Sequence, residues 1–83
     1  MNYSVYILFS KACSKFYTGQ TQDIDNRIKE HNAGETKSLK PCIPWVLVWK
    51  VEYSTRAEAM KIEKRIKSRG AGRFLTAIGV III

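Results

Sequence analysis

The stretch Tyr3-Ser4-Val5-Tyr6-Ile7-Leu8-Phe9, followed after Ser10 to Lys15 by Phe16-Tyr17-Thr18-Gly19-Gln20-Thr21, decides the fold. Its first run alternates Tyr3, Val5, Ile7 and Phe9 on one side with Ser4, Tyr6 and Leu8 on the other, the periodicity of a β-strand. Ser10 to Lys15 is small and polar, so the two runs predict a hairpin with a longer loop. If pairing is centred on that loop, Tyr6 stands opposite Gly19 and Tyr17 lies diagonally from Tyr6 on the same face. A slip of one residue would send the two tyrosines to opposite faces, because strand side chains alternate.

Downstream of the hairpin, Asp23 to Asn32 reads as a helix, with Thr21 or Asp23 as N-cap and Gly34 placed to close it in a left-handed conformation. Its apolar side carries Ile24, Ile28 and His31, with Arg27 alongside. Arg27 and His31, four positions apart, share one helix face. Glu35 to Pro44 is a polar loop punctuated by Pro41 and Pro44. Trp45 to Tyr53 is the longest strand candidate, and apolar residues on both sides of its first half mark it as the central strand. Thr55-Arg56-Ala57-Glu58 fits a capping box at the start of a second helix. The stripe expected to face the core there is Ala59, Met60, Glu63, Ile66 and Lys67. Gly70 and Gly72 end that helix, and Arg73 to Val80 forms either a short last helix or an extended tail. The expected class is therefore α/β (α+β), a small three-stranded antiparallel sheet flanked by helices in the order β-β-α-β-α-(α).

The 83 residues make one domain, 1–83. A chain this short buries only about 60–65% of its unfolded surface, so its core is thin. Its formal net charge is +7, from 14 Lys and Arg against 7 Asp and Glu. Arg56, Lys61, Lys64, Arg65, Lys67, Arg69 and Arg73 crowd one segment that holds only Glu58 and Glu63 as acids. Such an excess points to an anionic polymer as partner, nucleic acid before a membrane surface. The expected contacts are Lys11 and Lys15 in the hairpin, and Lys61, Lys64, Lys67 and Arg69 on the second helix. Cys13 and Cys42 lack metal-site spacing and read as buried or incidental thiols of a cytoplasmic protein. No secretory signal opens the chain. Its apolar end, Ile78 to Ile83, is too short to span a bilayer and would pack back, pair with another chain or fray.

Three residues fit poorly into a plain scaffold. Glu63 stands between Met60 and Ile66 on the core stripe, where a carboxylate needs a partner: Arg27, a lysine, or a metal ion beside a phosphate. Arg27 has the geometry to bind the non-bridging oxygens of a phosphodiester, and His31 can move a proton at neutral pH. Together with two phenols on one hairpin face, these are the parts that phosphodiester cleavage needs.

At these positions the chain resembles the GIY-YIG nuclease superfamily. Ser4-Val5-Tyr6 stands at the first tripeptide and Tyr17-Thr18-Gly19 at the second. Gln20 to Asn32 is similar to the family's first helix, Pro44 to Trp49 to its third strand, and Glu58 to Lys67 to its acidic helix. The likeness covers about residues 3–75 and is greatest to small stand-alone bacterial members, themselves similar to the nuclease domain of the excision-repair incision subunit. It departs at Val5 and Thr18, and in having no Asn near the C-terminus where larger members carry one.

The resemblance implies hydrolysis of DNA with one divalent ion, Mg²⁺ or Mn²⁺. Glu63 would bind the metal, Arg27 would stabilise the attacked phosphate, and Tyr6 would activate or orient a water. Tyr17 would assist, and His31 would receive or relay the proton. The expected function is a metal-dependent DNA endonuclease, with branched or damaged DNA in repair or recombination as its setting. RNA stays open as a further ligand, no membrane partner is expected, and the chain would be a monomer or a weak homodimer. The competing readings are a nucleic-acid-binding module of the same fold without turnover, and a scaffold held by a Glu63–Arg27 ion pair.

Overall fold

In the computed structural model, which describes residues 2–80, strand β1 (Tyr3–Ser10) runs through the middle of a three-stranded sheet. β2 (Lys15–Thr21) pairs antiparallel on one side of it, and β3 (Trp45–Tyr53) antiparallel on the other. The centred hairpin register holds: Tyr6 pairs with Gly19 and Leu8 with Tyr17, so both tyrosines share a face.

β3 is thus an edge strand, not the central one its length and apolar content suggested. Alternation reports which faces are covered and is silent about which edge is paired. Nor are both of its faces covered: within β3 only Trp45 is buried, and Val46 and Val51 remain 59% and 38% exposed. β1 instead buries both faces, with Val5, Ile7 and Leu8 wholly inaccessible and Tyr6 nearly so. Each such aliphatic side chain contributes about 1.5–3 kcal/mol of burial, which makes β1 the spine of two cores.

On one face Tyr6 and Leu8 pack with Ile24, Leu39, Cys42 and Trp45. This core lies under α1 (Ile24–Asn32) and a 3₁₀ segment, Lys37–Cys42, that structures part of the expected polar loop. On the other face Val5 and Ile7 meet Ala59 and Ile66 of α2 (Arg56–Arg69) and Leu75 of α3 (Ala71–Ala77). The last segment is therefore a short helix, opened at Gly70, whose φ of 98° few other residues adopt. The inward side of α2 is Ala59, Ile62, Glu63 and Ile66. Met60 and Lys67, placed on that stripe from spacing, are exposed. The apolar end is described as far as Val80, which packs against the α2–α3 core. Residues 81–83 lie outside the described residues, and with them the rest of the expected tail.

The helix ends follow their local chemistry. Asp23 Oδ1 accepts the Asn26 N–H at 3.1 Å, making Asp23 the N-cap, while Thr21 Oγ1 accepts the Asp23 N–H at 3.2 Å. Gly34 takes a φ of 80° just beyond α1. Thr55 Oγ1 accepts the Glu58 N–H and donates to Glu58 Oε1, so Thr55 is the N-cap of α2. The reciprocal bond of a capping box, from the Thr55 N–H to Glu58, is not made among the described residues.

Cys13 and Cys42 form a disulfide with Cα atoms 5.4 Å apart, which corrects the expectation of thiols. The hairpin loop and the 3₁₀ segment meet at the end of β1, where buried Ser10 accepts the Cys13 N–H and donates to the Cys42 carbonyl at 2.6 Å. A separation of 29 residues hides that proximity in the sequence. The thiols therefore no longer argue for a reducing compartment. Among the described residues, no helix is long and apolar enough to cross a membrane.

Candidate active site

Three of the expected residues form one contact group on the α1 face of the sheet. Tyr6 Oη and His31 Nε2 are hydrogen-bonded at 3.1 Å in a buried setting. Tyr17 stands edge-on to His31, with ring centroids 5.2 Å apart, and 6.2 Å from Tyr6. The strand register brings the phenols to one face, and α1 carries His31 over them.

Gly19 makes the arrangement sterically possible. A Cβ there would lie 2.7 Å from Tyr6 Oη, so the Tyr6 ring extends over β2 only because that position has no side chain. Tyr17 is half-buried, and its hydroxyl has no hydrogen-bond partner among the described residues. The two phenols are therefore unequal: Tyr6 is committed to His31, whereas Tyr17 keeps its hydroxyl open.

Burial raises the Tyr6 phenol well above its ordinary pKa, and the neighbouring Tyr17 adds to the rise. Arg27 opposes it, and the negative charges of Glu63 and Glu30 reinforce it. His31 is shifted the other way, lowered first by burial and then by Arg27, with Glu30 in opposition. Both partners of the buried hydrogen bond are thus held neutral near pH 7, a phenol facing an unprotonated imidazole.

Arg27, one turn before His31, is partly buried, and its Nε–H has no partner among the described residues. It lines a concavity of about 470 Å³ together with Gln20, Asn26 and Arg56. A buried guanidinium donor left unsatisfied costs free energy, which an oxyanion ligand would recover.

Glu63 comes from α2, on the opposite side of the sheet, and meets Gln20 near the end of β2. Its Oε1 accepts the Gln20 amide at 2.9 Å and its Oε2 pairs with Lys67 at 2.7 Å. Of the partners open to it in the sequence, a lysine and not Arg27 is taken, which removes the ion pair on which the scaffold reading rested. Glu63 lines a second concavity of about 430 Å³ with Gln20, Lys61, Lys64 and Lys67. Gln20 belongs to both concavities, so it joins the Arg27 side of β2 to the Glu63 side. Lys11 and Lys15 lie at the tip of the hairpin and line neither, and Arg69 lines a separate one with Arg73.

Among the described residues, no group of three or more His, Cys, Asp or Glu side chains gathers into a ligand cage. Glu63, the expected metal ligand, stands as a single carboxylate. Its side chain is 16% exposed, and its oxygens are engaged only by a flexible amide and an exposed ammonium. Mg²⁺ is commonly held by one or two carboxylates, with waters and substrate phosphates completing its shell.

Sequence patterning missed Gln20, Thr36 and Asn32. A glutamine at a strand end carries no distinctive signal. Thr36 Oγ1 lies 3.0 Å from His31 Nδ1, a contact made from within a polar loop. Asn32 uses both ends of its amide on the Trp45 backbone, accepting from N–H at 2.7 Å and donating to C=O at 3.0 Å. This clamp ties the end of α1 to β3 and thereby fixes the helix that carries Arg27 and His31.

The sequence pattern of the GIY-YIG catalytic domain matches residues 2–72. A UPF0213 protein of Staphylococcus haemolyticus is 43% identical over 65 residues, covering 77% of this chain and 78% of its own length. One from Halalkalibacterium halodurans is 41% identical over 68 residues, covering 81% and 71% respectively. The solution NMR structure of the UPF0213 protein from Bacillus halodurans superposes with a TM-score of 0.61 at 34% identity, covering 96% of this chain and 87% of that one. With its α+β sheet order and both tyrosine positions in place, this chain belongs to the GIY-YIG family of nuclease domains.

Proposed function

We propose that the protein is a divalent-metal-dependent endonuclease that hydrolyses DNA on the α1 side of the sheet, at Tyr6, Tyr17, Arg27 and His31, with Glu63 as the metal ligand. The observation that carries this reading is the buried hydrogen bond between a neutral Tyr6 and a neutral His31, 3.1 Å long. A scaffold gains little from burying an unprotonated imidazole against a phenol beside a guanidinium whose Nε–H is unsatisfied. A hydrolytic site gains a proton acceptor that is unprotonated at neutral pH.

In the proposed reaction a water attacks the scissile phosphorus as it loses a proton to the Tyr6 oxygen. Tyr6 simultaneously gives its own proton to His31 Nε2, so the phenol returns to its neutral form. The P–O bond to the leaving deoxyribose oxygen breaks, that oxygen takes a proton from solvent, and His31 afterwards releases the proton it received. The open Tyr17 hydroxyl orients the attacking water, and Arg27 donates to a non-bridging oxygen as negative charge develops. Glu63 would hold the divalent ion, with Gln20 bracing the carboxylate; when bound, the ion supplies positive charge for the phosphate and leaving oxygen. Lys61, Lys64 and Lys67 hold the flanking strand by its phosphates.

The test is cleavage of flap, fork, nicked and single-stranded DNA with Mg²⁺ or Mn²⁺ by the wild type, Glu63→Gln and His31→Gln. Wild-type cutting that falls about 100-fold or more in each variant is the expected result. Binding without metal-dependent cutting would replace this reading with that of a nucleic-acid-binding module.

A further inference from the structure

His31 is the sole histidine of the chain, and both of its ring nitrogens are engaged. Nε2 faces Tyr6 Oη at 3.1 Å and Nδ1 faces Thr36 Oγ1 at 3.0 Å. A neutral imidazole carries one proton, whereas each hydroxyl can donate or accept, so the ring's two partners must select its tautomer. We propose that Thr36 is a positioning residue that keeps the His31 proton on Nδ1, leaving Nε2 as the acceptor that faces Tyr6.

Acidity orders the two partners. A phenol is a stronger donor than an aliphatic hydroxyl, and the aliphatic oxygen is the better acceptor. The favourable pairing is therefore Tyr6 O–H to Nε2, with Nδ1–H to Thr36 Oγ1. In the opposite tautomer the weaker donor would serve Nδ1, and the phenol oxygen would have to accept from Nε2–H.

The placement of Thr36 points the same way. It occupies the N-cap of the 3₁₀ segment, where a threonine oxygen ordinarily turns onto a free backbone N–H. Here the side chain makes no capping bond. Its oxygen is directed to His31, while its carbonyl accepts the Leu39 and Lys40 N–H groups. The segment is itself braced: Trp45 Nε1 donates to the Leu39 carbonyl at 2.9 Å, and Cys42 is tied to Cys13 and Ser10. Thr36 thus rests on β3 and the hairpin loop as well as on its own backbone turn. Burial of His31, only 1% exposed, keeps water from substituting for the threonine oxygen.

This assignment rests on the proposed proton transfer from Tyr6 to His31, but its first test is independent of cleavage. With a single histidine, two-bond ¹H–¹⁵N correlation spectra of the labelled protein at pH 8 report the His31 tautomer without overlap. The wild type is expected to show protonated Nδ1 and bare Nε2. Thr36→Val is expected to populate the Nε2–H form and to lower kcat about 10- to 100-fold with KM little changed, the range for losing the partner that orients a histidine. Thr36→Ser restores the tautomer and most of the rate; thermal unfolding shows that each variant is folded. An Nε2–H wild type overturns the proposal. So does a tautomer unmoved in folded Thr36→Val, or an altered tautomer with unchanged cleavage. If the wild type cuts no DNA, the nuclease reading fails, and the spectra alone decide whether Thr36 sets the tautomer.

Discussion

Replacing Gly19 by alanine tests the geometry of the tyrosine pair directly. Gly19 has no positive φ, so the glycine is needed for space and not for backbone freedom. The added Cβ would meet Tyr6 Oη at 2.7 Å, Tyr6 Cζ at 2.9 Å and Tyr17 Cε2 at 3.2 Å, where ordinary contact begins at 3.4 Å. The Tyr6 hydroxyl must withdraw by roughly 0.7 Å, enough to strain or break its 3.1 Å bond to His31. Overpacking of this kind costs about 1–3 kcal/mol and the lost hydrogen bond about 1 kcal/mol. Alanine returns about 0.4–1 kcal/mol by restricting the unfolded chain. The net loss is about 2 kcal/mol, or a Tm lower by roughly 10 °C for a domain of this size. Thermal unfolding of Gly19→Ala, Tyr6→Phe and the double variant supplies a cycle. Because Tyr6→Phe removes the closest atom, alanine at 19 is expected to cost about 1 kcal/mol less in that background. A wild-type Tm for Gly19→Ala, or the same cost in both backgrounds, would refute the steric argument.

Acid should destabilise the fold through His31. Its folded pKa lies below the ordinary 6.5, so the native state binds fewer protons than the unfolded one at mildly acid pH. Stability should therefore be greatest above pH 6.5 and fall on acidification, by at most about 1.4 kcal/mol per pH unit from this group. Urea unfolding between pH 7.5 and 5.5 should show a smaller slope in His31→Gln; coincident slopes would remove the argument from burial. Replacing Cys13 and Cys42 by serine should cost about 3–4 kcal/mol, the loop-closure value for this separation. A loss below about 1 kcal/mol in denaturant titrations would show that the link does not constrain the unfolded chain. Neutralising Lys61, Lys64 and Lys67 should flatten log K against log salt by about one unit per lysine for duplex DNA. An unchanged slope would move the phosphate contacts off α2. Glu63→Gln should change stability by less than about 1 kcal/mol, since its Lys67 partner is 57% exposed. A larger loss in urea titrations would make Glu63 a structural residue.

Much of the fold is written in local chemistry. Alternation over Tyr3–Phe9 and the Thr55 cap of α2 depend on neighbours within a few residues, and each appears where the local pattern places it. At α1 the pattern offers Thr21 or Asp23, and Asp23 is the cap. The site is legible to a lesser degree. Arg27 and His31 share a face because a helix turns at a constant rate, and Tyr6 and Tyr17 share one because the hairpin is centred. Met60 and Lys67 read as inward and stand outward. Spacing defines a stripe only to within the width of a side chain, and α2 is rotated to place Ile62 inward.

The sequence by itself determined the three strands, the first two helices and the basic excess, because these arise from neighbours in the chain or from composition. The hairpin register, the choice of Asp23 over Thr21 as cap and the last helix stayed open in it. Only the tertiary structure decided that β1 lies between its partners, that Cys13 meets Cys42, and that Glu63 takes Gln20 and Lys67 instead of Arg27. It alone decided that a loop threonine reaches the ring of His31. Each of these joins residues far apart in the chain or in different elements. Which such groups meet is set by how the two faces of β1 bury their side chains, a global balance of packing that no local pattern encodes.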